Sequence, residues 1–463
     1  MKSQPAANSF GSEGGGSRRV LMISEKFPPF NLSGSARPFY FAKYLPEFGY
    51  APRVLASSLI GRDERDDALL AELPPQVRVR RTPRLLSPSL TRLRELSRPL
   101  LPAHAPRVGE PARRGGSARG TRAWAQDALC WFGWWTHWEL DWATLAALAG
   151  AWDARRQMPQ LIWASGPHFR NFVVAARLTE WLRVPLVLDL RDPWTYGSLW
   201  RPRTESIARS ERAWALRVLQ LATRIVFTSP LTLEAMSRRF PQLRRERLLT
   251  ISNGFEDTPV EPLRDVGDDR CLFRYIGVLN ERRQPDVLLH AFAAAAAADP
   301  VFRAAARLEF IGSASGHEGK TSLAPGCDVR FGGHVSRAES LRYMAGSDVN
   351  LLLQTISEGE DVISGKAFDY LHVRRPILGI VDPSGGDAWL LRETGAGSVV
   401  PWQDVGAIGR ELSAAFQRWQ AGERPALLQD VSRYSRRALS AQLAGLFDEI
   451  LTAPAGADRQ SSA

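Results

Sequence analysis

Short, unbroken apolar runs alternate along this chain with longer stretches whose apolar residues recur at helical spacing. Unbroken runs of four to eight residues are the mark of strands buried on both faces, as in parallel sheets. The first is Arg18-Arg-Val-Leu-Met-Ile-Ser24. A small-residue loop follows, then a helix carrying Phe39, Ala42, Leu45 and Phe48, then a second strand over 53–56. Strand, loop, helix and strand make a βαβ unit with a right-handed crossover. The same grammar predicts strands over 161–164, 185–190, 224–228 and 248–251, with helices over 172–182 and 208–222. It restarts in the second half with strands over 272–276, 306–311, 329–331, 349–353, 376–380 and 398–400, and an alanine-rich helix over 285–298. The prediction is an α/β protein of two doubly wound, Rossmann-like domains facing a central cleft, where ligands bind beyond the carboxyl ends of the strands.

Punctuation sets the boundaries. Residues 258–269 are polar with two prolines and read as a linker between an N-terminal domain, 18–257, and a C-terminal domain, 270–451. Residues 1–17 and 452–463 read as disordered tails, and the first has no apolar core of a secretory signal. A final amphipathic helix over 432–451 has the option of crossing back to the first domain. An insertion over about 78–152 is basic at first and then rich in tryptophan.

Composition adds little except in that insertion. At 463 residues, 44% hydrophobic and 24% charged, the chain is long enough for two cores. No apolar window is long enough to span a bilayer. The three cysteines, Cys130, Cys271 and Cys327, lack metal-ligand spacing and fit a reducing cytoplasm. The net charge of +11 is carried almost entirely by arginine. Between Arg78 and Arg122 arginines are opposed only by Glu95 and Glu110. That stretch fits either a solvated loop or contact with an anionic membrane surface, placing the protein in the cytoplasm or peripherally on the inner face of the membrane. No nucleic-acid-binding module is present, so no nucleic acid partner is expected. Trp131, Trp134, Trp135, Trp138 and Trp142 serve packing between helices or a binding face.

The densest chemistry is Asp361-Val-Ile-Ser-Gly-Lys-Ala-Phe-Asp369, just after an apolar strand. A helix starting near Ser364 turns its free N–H groups and positive dipole end toward an anion. Gly365 lets backbone approach a phosphate, and Lys366 adds a point charge. Asp369 lies about a turn further on, within reach of a ribose, and Asp361 remains in the loop, free to bond sugar hydroxyls. This layout suits a nucleoside diphosphate carrying a sugar.

The Asp-x7-Asp spacing, followed by Arg375-Pro376-Ile-Leu-Gly, resembles the Glu-x7-Glu signature of the family 4 glycosyltransferases, with aspartates for both glutamates. Pro28-Pro29 followed by Ser33-Gly34-Ser35-Ala36 resembles their N-terminal loop, and Asp189-Leu-Arg191-Asp192-Pro193-Trp194 a run found in one branch. The resemblance implies a GT-B fold and a retaining, metal-independent, hexosyltransferase-like enzyme. It would have no cofactor beyond the nucleoside diphosphate sugar substrate, and a glycan or lipid-linked acceptor of cell-surface polysaccharide synthesis.

Residue by residue, the resemblance implies donor contacts at Gly34, Ser35 and Gly277, with the nucleobase beside His334 and Val335. His168 would meet the donor sugar, and Arg283 with Lys366 the departing diphosphate. Arg191 and Asp192 stand either for acceptor contact or for loop architecture. Where relatives carry an arginine just after the glycine, this chain has Val278, with Arg282 or Lys366 as substitutes. Two alternatives stay open: a sugar-nucleotide epimerase on the same fold, and an inactive subunit that binds a partner or membrane.

Overall fold

The computed structural model describes residues 17–30, 33–58, 67–84, 142–197, 200, 202, 204–265, 269–280, 283–313, 316–354, 361–423 and 430–453. The two tails, most of the basic and tryptophan-rich insertion with Trp131, Trp134, Trp135 and Trp138, Cys130 and Arg282 lie outside the described residues.

Thirteen described strands form two sheets, and every pairing is parallel. The first contains β1 (Arg18–Ile23), β2 (Tyr50–Ser57), β3 (Arg78–Thr82), β4 (Leu161–Gly166), β5 (Leu186–Leu190), β6 (Arg224–Phe227) and β7 (Leu248–Thr250), in the order β3-β2-β1-β4-β5-β6-β7. The second contains β8 (Cys271–Ile276), β9 (Ala306–Ile311), β10 (Asp328–Phe331), β11 (Val349–Leu353), β12 (Ile377–Val381) and β13 (Gly397–Pro401), in the order β10-β9-β8-β11-β12-β13. In both sheets the order reverses beside the domain's first strand, which opens a crevice at the carboxyl ends.

The apolar runs are unbroken because each strand feeds two cores. Leu21 and Ile23 of β1 pack into one cluster and Val20 and Met22 into another on the opposite face. Val349, Leu351 and Leu353 of β11 likewise face one cluster and Leu352 the other. Each such aliphatic side chain contributes about 1.5–3 kcal/mol of burial.

Two findings correct the sequence reading. Residues 78–82, assigned there to an insertion, are the edge strand β3, in register with Arg53–Ser57 of β2. Val77 and Val79 pack against the core, Arg80 pairs with Asp153 and Arg81 donates to the carbonyls of Ser57 and Pro28, and a charged edge discourages pairing with other chains. The helix Ala143–Arg156 belongs to the first domain's core, with Trp142 fully buried before it.

The final helix, Arg436–Thr452, crosses back onto the first sheet. Ser435 caps it by accepting from the Ala438 amide, and Leu439, Leu443, Phe447 and Ile450 join Val20, Met22 and Tyr50. The two interdomain crossings are tied together where Phe255 N donates to Tyr434 O (3.1 Å) and Arg436 N to Phe255 O (2.8 Å). Gly254 is required there, since a Cβ would sit 2.0 Å from the Tyr434 carbonyl oxygen. Among the described residues no helix is long and apolar enough to cross a membrane.

Candidate active site

The first wall of the cleft is built on a buried ion pair. Arg37, on the helix Ser33–Tyr44, donates to both carboxylate oxygens of Asp189 at the end of β5 (2.8–3.1 Å). The same guanidinium donates to the carbonyls of Ile251 (2.8 Å) and Ser252 (2.6 Å), and Ser165 Oγ donates to Asp189 (2.7 Å). Every charge here is paired and hydrogen-bonded, the condition for burying them.

Arg191 does similar work. Its Nε donates to Gly166 O and its Nη1 to Gly34 O, both at 2.5 Å, so one side chain sets the loops after β1 and β4. Ser35 Oγ closes the first loop by donating to Phe30 O (2.8 Å). This geometry gives Arg191 an architectural role. Burial pushes its guanidinium down to about 10, partly countered by Asp189 and Asp192. Burial raises the Asp192 carboxyl, and Arg191 opposes that shift.

His168 stands on the same rim in a left-handed conformation (φ 67°). Its surface is exposed to solvent, yet protein atoms crowd around the ring. That burial, followed by the positive charges of Arg170, Lys26, Arg191 and Arg84, pushes the imidazole down to about 3 from 6.5. His168 is therefore neutral at ordinary pH. Between 6.5 and 3 the unfolded chain takes up a proton that the folded chain refuses, so stability falls as pH drops through that window. We expect His168→Asn, whose side chain tolerates positive φ, to flatten the fall in melting temperature between pH 7 and 4. Parallel thermal melts of both proteins across that range check it.

The second wall centres on the helix Gly365–Val373, which follows the Ser364 N-cap as the sequence predicts. Lys366 folds back from its first turn beneath Gly277. Its Nζ lies 3.8 Å from the centre of the Tyr275 ring, has no accessible surface and meets no hydrogen-bond acceptor among the described residues. Gly277 makes this possible: at φ 141° a Cβ would stand 2.4 Å from that Nζ. Tyr275 Oη donates to Val278 O (3.0 Å), and Val278 itself is half exposed. Burial pushes the Lys366 ammonium well below its usual value, the positive charge of Arg283 pushes the same way, and Asp387 and Asp369 oppose both.

Asp387 is a site residue the sequence reading missed. It is buried at the start of the helix Gly386–Thr394 and accepts from the Ser364 amide (2.8 Å), while burial raises its carboxyl. The available signal was Ser384-Gly385-Gly386-Asp387, a glycine-rich turn directly after β12. A Cβ on Gly365 would meet nothing, so the helix mouth is open. The structure thus gathers Gly277, Arg283, Ser364, Gly365 and Lys366 at one place.

Both carboxylates of the doublet have protein partners. Asp361 is not free: Tyr196 Oη donates to its Oδ2 (3.1 Å), and Thr232 Oγ1 to its carbonyl (2.9 Å), both from the first domain. Asp369 is held by both guanidinium nitrogens of Arg337 (2.8 and 3.3 Å). His334 lies exposed after β10, and Val335 packs partly into the adjoining core. Among the described residues no cluster of three or more metal-ligating side chains occurs.

No protein-family model and no curated protein sequence matches the chain. Solved structures do match, along nearly its whole length. Sucrose-phosphate synthase from Thermosynechococcus elongatus is 14% identical, with a TM-score of 0.56, covering 94% of this chain and 99% of its own. Anabaena HepE (Alr3699), in complex with UDP, is 16% identical, with a TM-score of 0.53, over 93% and 100%. The lipopolysaccharide outer core galactosyltransferase WaaB is 10% identical, with a TM-score of 0.54, over 94% and 99%. At these identities the likeness defines the fold. The chain has the GT-B architecture, two Rossmann-like domains facing a cleft.

Proposed function

We propose that the protein is a retaining glycosyltransferase of the family 4 type, moving a hexose-like sugar from a nucleoside diphosphate donor to a glycan or lipid-linked acceptor. The observation that carries this is the Lys366 ammonium, buried with no hydrogen-bond acceptor among the described residues, near Arg283 and at the mouth of a helix, with Asp387 and Asp369 acting on it only from further off. A buried cation without a hydrogen-bonded counter-ion is costly and calls for an anionic ligand. A diphosphate supplies two charged groups and fits the open helix start at Gly365. Two other GT-B structures hold UDP and UDP-2-fluoro glucose.

In this reading Lys366 and Arg283 stabilise the diphosphate as negative charge grows on it, so the bond to the sugar breaks without need of a metal ion or further cofactor. The departing diphosphate takes the acceptor's proton, and no protein nucleophile is required. Neutral His168 contacts the sugar by hydrogen bonding. Asp369 reaches the ribose from its arginine-braced position, with His334 and Val335 beside the base. Gly34 and Ser35 present backbone from the opposite loop, and Asp192 borders the acceptor side. The arginine-rich sequence between 78 and 122 supports an acceptor at the inner membrane surface in polysaccharide synthesis. Incubation with UDP- and GDP-sugars, followed by chromatography of released nucleotide, tests the reaction. Release of UDP or GDP supports transfer or donor hydrolysis, whereas epimerised donor with no release would favour the epimerase reading.

A further inference from the structure

The aspartate–arginine–aspartate–proline–tryptophan run anchors a short arm. Arg191 is fixed to two carbonyls at its side chain, and its own carbonyl accepts from Thr228 Oγ1 (2.9 Å). Trp194 is buried in the first core, stacked on Phe169 at 4.8 Å and edge-on to Trp214 at 5.4 Å. Just beyond these anchors the backbone turns through left-handed conformations at Thr195 (φ 66°) and Gly197 (φ 80°). A buried threonine held there costs about 1–3 kcal/mol and persists only where its surroundings enforce it. The residue this turn delivers across the cleft is Tyr196, whose hydroxyl meets Asp361.

A second hydroxyl from the same domain meets the same residue. Thr232, fully buried in the helix Pro230–Arg239 that Ser229 caps, donates to the Asp361 carbonyl. Side chain and main chain of Asp361 are thus both held by the first domain. Three residues on, Ser364 is fixed through its amide by Asp387 of the second domain. The segment between these fixed points leads straight into the helix that carries Lys366.

We infer that Tyr196 is a positioning residue: with Thr232 it clasps Asp361 across the cleft, turning that carboxylate toward the donor's sugar only when the two domains are closed. The inference rests on the proposed donor site. Tyr196 occupies Oδ2, which leaves Oδ1 for a sugar hydroxyl. Opening the cleft breaks both bonds and releases the aspartate. The clasp therefore serves the sugar and not the nucleotide, which separates it from the Lys366 site.

The test is a double-mutant cycle on the full chain with Tyr196→Phe, Asp361→Ala and the combined variant. Calorimetry gives affinities for UDP and GDP and for UDP-glucose and GDP-mannose, and hydrogen exchange reports the amides of 362–364. Tyr196→Phe should leave the nucleoside diphosphate affinity within about twofold. It should weaken the sugar nucleotide or its turnover about tenfold, the scale of one hydrogen bond to a charged group. The same change should speed exchange at 362–364 and add nothing in the Asp361→Ala background. Wild-type donor affinity, turnover and exchange in Tyr196→Phe, or losses that simply add in the double variant, would overturn the clasp. If the wild-type chain binds no nucleotide, the donor site fails and the sugar-positioning role with it. Exchange then shows separately whether the interdomain contact exists.

Discussion

Lys366→Met melts higher than the wild-type protein and loses about two to three orders of magnitude in sugar transfer, the scale of one preorganised charge at a reacting centre. Both halves have one cause. The ammonium is buried over the Tyr275 ring with no acceptor among the described residues, so the empty protein bears its desolvation cost. Methionine keeps the unbranched stem and drops the charge. It forfeits a cation–π contact of about 0.5–2 kcal/mol and regains the larger cost of the buried ion. A gain of a few degrees in melting temperature, measured without nucleotide, checks the first half, and turnover of the donor checks the second. Loss of activity with a lowered melting temperature would mean that Lys366 supports the fold instead.

Asp189→Ala has the largest expected effect of the opposite kind. Arg37 would keep its two carbonyl partners, Ile251 and Ser252, but remain a buried charge without a counter-ion. Breaking a buried pair by removing one partner costs about 3–5 kcal/mol. In a domain of this size that lowers the melting temperature by roughly 10 °C. Because the pair joins the start of the first helix to β5 and to the chain after β7, the loss should appear across the first domain, and hydrogen exchange in β4 and β5 should rise first. Asp189→Asn, which keeps acceptor capacity but not charge, should fall between the two. An alanine variant as stable as the wild type would show that the pair does not brace this wall.

Much of the fold was legible because parallel strands buried on both faces leave unbroken apolar runs. Each run singled out in the sequence is a strand to within a few residues. β3 escaped because its arginines mask a Val77–Val79 alternation, and composition outweighed periodicity. The helix Arg337–Ala345 escaped because most of its surface is exposed and polar, although Ser336 and Glu339 already spelled a capping box. The site divides along the same line. Ser364, Gly365 and Lys366 were readable because a helix start brings neighbours in sequence to one anion-binding mouth. Asp387, Arg337 and Tyr196 were not, since each reaches the site from another element through a contact that local spacing does not encode. Asp361 shows the consequence: next to its own neighbours it reads as a free carboxylate, and only the packed domains supply its partner.

The most direct test of the central claim is calorimetric titration of UDP and GDP, in EDTA, into the wild-type chain and Lys366→Met. Micromolar binding of one nucleotide to the wild type without metal is expected, weakened at least tenfold by the substitution, on the scale of a charge-assisted contact. Wild-type binding that survives the loss of Lys366 unchanged, or no binding of either nucleotide, would contradict it.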